Sequence, residues 1–189
     1  MSPKQRQTTS ELCIIGGQLR SRKWRFPITP GLRPTPNRLR ETLFNWLAPS
    51  ITGSHCLDLF AGSGALSFEA LSRGAAGATL IELQTTNIKF LRQAKQSLDL
   101  EHCEIIQTDA LKWLQQPAQQ RYDLVFLDPP FHQQMLGPIL DALPSHLASG
   151  ALIYLETERQ SKTPEQITQG AVIKEKVVGD VRALLVSAE

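Results

Sequence analysis

From residue 55 onward the chain alternates short apolar runs with amphipathic helical stretches, and this alternation restricts the fold more than any other feature. A strand, a helix and a second strand make a βαβ unit. Its strands must lie parallel, because the crossover helix returns the chain to the same end of the sheet. The pattern predicts strands near residues 55–60, 78–83, 103–107, 122–127 and 150–156. Helices are predicted over 64–73, 85–98, 110–115 and about 134–147, with Pro138 near the start of the last. The final apolar runs, 172–178 and 181–186, are separated only by Gly179-Asp180, which predicts a hairpin and a last strand antiparallel to its neighbour. The expected architecture is α/β, a seven-stranded and mostly parallel sheet with helices on both faces. With 189 residues, 41% of them hydrophobic, the chain can bury one substantial core.

The first 40 residues differ in character. Residues 1–10 are polar and predict a flexible tail, and apolar runs at 12–15 and 19–26 flank Gly16-Gly17, which predicts the tight turn of a small β-hairpin. A turn-rich run over 27–36 follows. Thr35 is placed to cap a helix with Pro36 at its first position, carrying Leu39, Leu43, Phe44, Trp46 and Leu47 at helical spacing and ending near Pro49. Three units result: a tail over 1–10, a basic hairpin and arm over 11–35, and an α/β domain over 36–189.

Charge divides along the same line. Residues 1–40 hold nine basic side chains (Lys4, Arg6, Arg20, Arg22, Lys23, Arg25, Arg33, Arg38 and Arg40) against Glu11 alone, which makes the segment +8. The remainder holds 11 basic and 17 acidic residues and is −6. A basic arm on an acidic body points to a polyanionic partner held by the arm. No stretch approaches the roughly 18 consecutive apolar residues of a membrane span, and the polar start has no signal-peptide core, so a soluble cytoplasmic protein is expected. Cys13, Cys56 and Cys103 are far apart in predicted strands and suit buried small hydrophobes. His55, His102, His132 and His146 have no ligand spacing, so no metal is expected.

The first sheet strand runs into Asp58-Leu59-Phe60-Ala61-Gly62-Ser63-Gly64, a glycine turn that brings backbone N–H groups up to a ligand. A dinucleotide fingerprint needs a third glycine at position 67, where this chain has Ser67, so pyrophosphate binding loses support. Asp58 ahead of the turn suits instead the positively charged methionine end of S-adenosylmethionine. Glu82, at the end of the next strand, can accept from both ribose hydroxyls, and Asp109, after the third, can receive an adenine amino group or cap a helix.

The fourth strand stops at Asp128-Pro129-Pro130-Phe131. Two prolines cannot donate to a sheet ladder, so the exit is rigid and extended. An exocyclic amine is a poor nucleophile because its lone pair is delocalised into the ring. The Asp128 carboxylate and the Pro129 carbonyl can accept its two hydrogens and stabilise the charge developing on nitrogen as it attacks a methyl group. Phe131 offers a face on which an extruded base can stack.

The residues resemble the Rossmann-like class I methyltransferases, and more narrowly the RsmD-type 16S ribosomal RNA (guanine-N2)-methyltransferases. The resemblance is carried by Ile14-Ile15-Gly16-Gly17, Gly31-Leu32-Arg33-Pro34-Thr35, the block from Arg38 to Leu47, the turn from Asp58 to Leu66, the block from Glu69 to Ala75, and Asp128 to Phe131. It implies S-adenosylmethionine held by Asp58, Phe60, Gly62, Gly64, Glu82, Leu83, Asp109, Ala110 and Asp128. Catalysis by Asp128, Pro129 and Phe131 on a guanine of 16S ribosomal RNA follows, with guanine 966 in conventional numbering as target. The RNA-binding residues would be Arg20, Arg22, Lys23, Arg25, Arg33, Thr35, Arg38 and Arg40. The implied partner is 16S ribosomal RNA within the assembling small subunit, met by a monomer. Two other functions are open to such a chain: DNA adenine-N6 methylation, which uses the same strand-end motif but needs a recognition domain, and a non-catalytic RNA-binding assembly role. A nicotinamide-dependent oxidoreductase is disfavoured by Ser67.

Overall fold

The computed structural model describes residues 8–28, 35–130, 135–161 and 171–188. Seven strands form one sheet: β3 (His55–Asp58), β4 (Gly77–Glu82), β5 (Cys103–Gln107), β6 (Tyr122–Leu127), β7 (Leu147–Glu158), β8 (Ala171–Val178) and β9 (Val181–Ser187). Their order across the sheet is β5-β4-β3-β6-β7-β9-β8. The first five positions are parallel, while β9 enters antiparallel between β7 and β8. The β8–β9 connection is the two-residue turn the sequence predicts. Gly179 has φ +60° at the first central position, where a hairpin of this kind favours glycine.

The inner strands are rich in apolar residues because both faces are covered, whereas the edge strand β8 is exposed over residues 172–177. On one face Cys56, Leu80, Phe126 and Tyr154 pack against α1 (Asn37–Leu47), α2 (Ala65–Ser72) and α3 (Thr85–Leu98). On the other, Leu57, Ile81, Val125 and Leu155 pack against α4 (Ala110–Leu114) and α5 (Leu136–Ala142). The predicted helix over 134–147 is shorter than expected: α5 gives way at Leu143 to a 3₁₀ turn, Leu143–His146, where Pro144 lacks an N–H for a further α-helical bond. Cys56 and Cys103 are buried as expected, whereas Cys13 is only half-buried. Among the described residues no helix is long and apolar enough to cross a membrane.

The amino-terminal segment forms an antiparallel pair, β1 (Thr9–Cys13) and β2 (Lys23–Pro27), in which Leu12 faces Trp24. Gly16-Gly17 is not its tight turn. The connection runs over residues 14–22, and the two glycines dock instead on the end of α2. Gln18 N donates to Ser72 O (2.7 Å), Leu19 N to Ser72 Oγ (2.9 Å), and Ser72 Oγ to Gly16 O (2.6 Å). A Cβ on Gly17, at φ +79°, would lie 1.9 Å from the Ser72 carbonyl oxygen, so the glycine is there for close approach.

The same docking centres on Glu69, a fully buried carboxylate. It accepts from Ile15 N (2.8 Å), Gly16 N (2.8 Å) and Arg73 Nε (2.7 Å), and Arg40 Nη1 stands 3.8 Å away. Arg40, expected to contact RNA, is 0% exposed. Its Nη2 donates to Cys13 O (3.0 Å) and Asn37 Oδ1 (2.7 Å), so it binds the arm to the body and is removed from the RNA-facing set. Thr35, also expected to contact RNA, is 4% exposed and leaves the RNA-facing set too, and it is no helix cap. The first turn of α1 opens on the Pro36 carbonyl, and Thr35 Oγ1 donates to Glu156 instead. Removing one partner of a buried ion pair leaves the other uncompensated, so Glu69→Ala should cost about 3–5 kcal/mol in equilibrium urea unfolding. A loss below about 1 kcal/mol would mean that Arg40 finds another partner.

Candidate active site

The chain leaves β3 for β4 on one side and returns to β6 on the other, so strand order reverses between β3 and β6. Ligands of open α/β sheets bind in the crevice beyond the carboxyl ends of strands at such a reversal. Here that edge holds the glycine turn and Asp128. Gly62 (φ +51°) and Gly64 (φ +77°) take conformations that a side chain disfavours, and a Cβ on Gly64 would strike the Phe68 ring at 2.4 Å. The turn is fixed from three directions. Ala61 N donates to Ile81 O (3.0 Å), Gly62 N to Glu82 Oε2 (2.9 Å), and Trp24 Nε1 of the arm to Ser63 O (2.8 Å). Trp24 also meets Phe68 edge-on at 5.5 Å, so the arm packs directly on this turn.

Acids line the edge on the face that carries α1 to α3. Asp58 accepts from the Ser67 hydroxyl (2.7 Å), and Ser67 is fully buried. The residue that breaks a dinucleotide fingerprint thus holds the acid in place. Glu82 accepts from Gln84 N (2.7 Å) as well as from Gly62 N. Beyond Asp58, β6 ends in Asp128, and its neighbour β7 carries Glu156 at the same level, following the paired Leu127 and Leu155. Glu156 Oε1 accepts from Thr35 Oγ1 and Tyr154 Oη, both at 2.8 Å.

This crowding alters protonation. Burial raises the Asp58 carboxyl to about 7; the Ser67 and Phe60 hydrogen bonds oppose the rise, and Glu82 and Glu156 add to it. Burial first, then the charges of Glu156 and Asp58, hold Asp128 well above the usual carboxylate range. Burial likewise raises the Tyr154 hydroxyl, reinforced by Glu156.

Of the other residues singled out in the sequence, Phe60 and Asp109 are half-buried and Ala110 is buried. Leu83 is 56% exposed beside Glu82. Asp109 caps α4, accepting from Lys112 N at 3.0 Å. Pro129 is buried and Pro130 exposed, while Phe131, His132 and Arg33 lie outside the described residues. Arg20, Arg22, Lys23, Arg25 and Arg38 are exposed. Arg22 Nη2 donates to Ser97 O at the end of α3, and Lys23 pairs with Glu11 at 2.9 Å. Glu156, Tyr154 and Ser67 were not singled out as site residues. The one available signal was an acid closing an apolar strand, Leu152-Ile153-Tyr154-Leu155-Glu156.

Sheet order, antiparallel insertion of the last strand and the glycine turn define the Rossmann-like methyltransferase fold. A family model described as "Conserved hypothetical protein 95" matches residues 12–187. The chain is 43% identical over 183 residues to ribosomal RNA small subunit methyltransferase D of Escherichia coli strain K12, covering 96% of this chain and 92% of that protein. It is 46% identical over 178 residues to the protein of the same name from Haemophilus influenzae, covering 90% and 91%. A solved structure described as putative methyltransferase yhhF from Escherichia coli matches with a TM-score of 0.84 at 43% identity, covering 95% of this chain and 99% of that one. The chain belongs to the ribosomal RNA small subunit methyltransferase D family.

The acids make stability depend on pH. Unfolded, Asp58 releases its proton near its ordinary value of about 3.9; folded, it keeps it up to about 7. Between those values the folded state binds more protons, so stability falls as pH rises through the window. Asp128 acts in the same direction. Melting temperatures of the protein and of Asp58→Asn, measured across this range, should show a shallower decline in the variant. Equal slopes would remove Asp58 as a source.

Proposed function

We propose that this protein transfers a methyl group from S-adenosylmethionine to the exocyclic N2 amine of a guanine in 16S ribosomal RNA, guanine 966 in conventional numbering, within the assembling small subunit in the cytoplasm. The observation that carries this reading is the adjacency, at the β3–β6 reversal, of a glycine turn preceded by Asp58 and a strand ending in Asp128-Pro129-Pro130. Carboxyls with raised affinity for protons suit a cationic ligand, and the sulfonium of S-adenosylmethionine is one. Its adenosine would lie along Glu82, Leu83 and Asp109, with Phe60, Gly62, Gly64 and Ala110 beside it. When bound, it supplies an electrophilic methyl group.

The chain's own residues supply positioning and charge. The Asp128 carboxyl and the Pro129 carbonyl accept the two hydrogens of the amine, which turns the nitrogen lone pair toward the methyl group. Positive charge developing on the amine nitrogen as it is methylated would be stabilised by Asp128, which would take the released proton. Phe131 would stack on the base. Arg20, Arg22, Lys23, Arg25, Arg33 and Arg38 would meet phosphate, a reading supported by their charge and, for all but Arg33, by their exposure. The relative 43% identical to this chain is named as a small-subunit ribosomal RNA methyltransferase, which also supports it.

Incubating the protein with labelled S-adenosylmethionine and small subunits from a strain lacking it should label one guanine of 16S ribosomal RNA, located by mass spectrometry. Label in duplex DNA and none in ribosomal RNA would sink the reading. Asp128→Ala should lower the rate by about 10²–10³-fold while the cofactor still binds in titration. Arg20 and Arg25 have no ion pair among the described residues. Replacing both with Ala should weaken RNA binding and reduce the slope of log K against log salt by about 2. An unchanged slope would refute their contact with phosphate.

A further inference from the structure

The Asp128-Pro129 pair accepts the hydrogens of an exocyclic amine, and adenine, cytosine and guanine all present one. Something else must choose among them. Glu156 is the group placed to do so. It leaves β7 beside Asp128, since Leu127 and Leu155 are paired immediately before them, and it lies on the same face of the sheet as Tyr154 and Phe126. It is only 3% exposed, whereas Asp128 is half-buried.

Its orientation is fixed from two sides. Tyr154 Oη and Thr35 Oγ1 both donate to Oε1 at 2.8 Å, and the Tyr154 ring is itself held edge-on against Phe126 at 6.5 Å. Two donated hydroxyls make that oxygen an acceptor. Its charge adds to the proton affinity that burial gives Asp128 and Asp58, so it acts on both from within the same edge.

We propose that Glu156 sets the choice of base, its carboxylate accepting the ring N1–H of a guanine whose N2 amine meets Asp128. This rests on the guanine-N2 reading above and specifies its basis. Along its Watson–Crick edge guanine presents two adjacent donors, N1–H and the N2 amine. Adenine and cytosine present an amine beside a ring nitrogen with a lone pair, which would face the carboxylate without a hydrogen. A site built to bond an N–H rejects an analogue lacking it by factors on the order of 10⁴–10⁵, because its buried acceptor is left unpaired. Thr35 and Tyr154 are positioning residues, acting through Glu156.

The test compares full-length protein and Glu156→Gln on small subunits assembled from ligated 16S ribosomal RNA that carries either guanine or 2-aminopurine at the nucleotide the unaltered protein methylates. 2-Aminopurine keeps the N2 amine but has a lone pair at N1. The unaltered protein should favour guanine by a factor on the order of 10³ or more. In Glu156→Gln the amide can donate to that lone pair, so the preference should fall on the order of 100-fold, with transfer to guanine reduced and transfer to 2-aminopurine gained. If Glu156→Gln fails to fold, Tyr154→Phe decides, with an expected fall in preference of about tenfold from the loss of one orienting bond. A preference unchanged in a folded variant overturns the role of Glu156 while leaving the guanine-N2 reading intact. No transfer to any ribosomal RNA guanine by the unaltered protein overturns both. A merely structural Glu156 would lower both substrates together and leave their ratio unmoved.

Discussion

The parallel pairing of β3 with β6 is the constraint on which the site depends. Neighbours in the sheet, these strands are separated in sequence by three βαβ crossovers, and their contact aligns Asp58 with Phe126. Because parallel strands end at the same edge, that register sets Asp58 two residues below the level of Asp128, with the glycine turn following at the same edge. Leu59 N extends the link past the strand, donating to Phe126 O at 3.2 Å. Nothing local to either segment could achieve this. The buried alternation that makes β6 a central strand therefore also brings the glycine turn and the Asp-Pro-Pro exit together.

The second dependence is on Glu69. An arm with so much positive charge would be repelled from itself and weakly drawn to the body by screened surface charge alone. It is held instead by hydrogen bonds to a buried carboxylate and by the approach of Gly16-Gly17 to the end of α2. Backbone N–H donors account for two of the bonds to Glu69, which makes the attachment specific to the chain path and leaves arm side chains other than Arg40 out of it. Arg20, Arg25 and Arg38 remain exposed as a result. The arm reaches the site twice, through Trp24 on the glycine turn and Thr35 on Glu156, so its seating and the placing of these groups are one structural problem.

What the sequence disclosed and concealed follows from the range of the interactions. α3, β5 and β6 match their predicted bounds because period and length are local properties, strong in stretches this regular. Gly16-Gly17 misled for the opposite reason. The glycines answer to Ser72, which lies more than fifty residues away, and not to the strands beside them. Arg40 looked like one more arm charge until the fold enclosed it. Thr35 had the right identity and place for a cap, but Glu156, 121 residues further on, takes its hydroxyl. Glu156 had no motif at all. Its place beside Asp128 exists only through the pairing of β6 with β7.

Charge ties these levels together. The body is acidic overall, yet the acids that matter are gathered on one sheet edge, close enough to raise one another's affinity for protons. Such a row is unfavourable unless something positive approaches it, which makes the edge selective for cationic ligands and groups that gain positive charge in reaction. Arg20, Arg25 and Arg38 are exposed instead, where a polyanion can meet them. An RNA backbone drawn to the arm would be repelled from the edge. Only a neutral base, turned out of the chain and offering hydrogen-bond donors, could cross from one field into the other. Under the proposed function, the separation of charge along the sequence would become in the fold a separation between gripping the nucleic acid and admitting a single base of it.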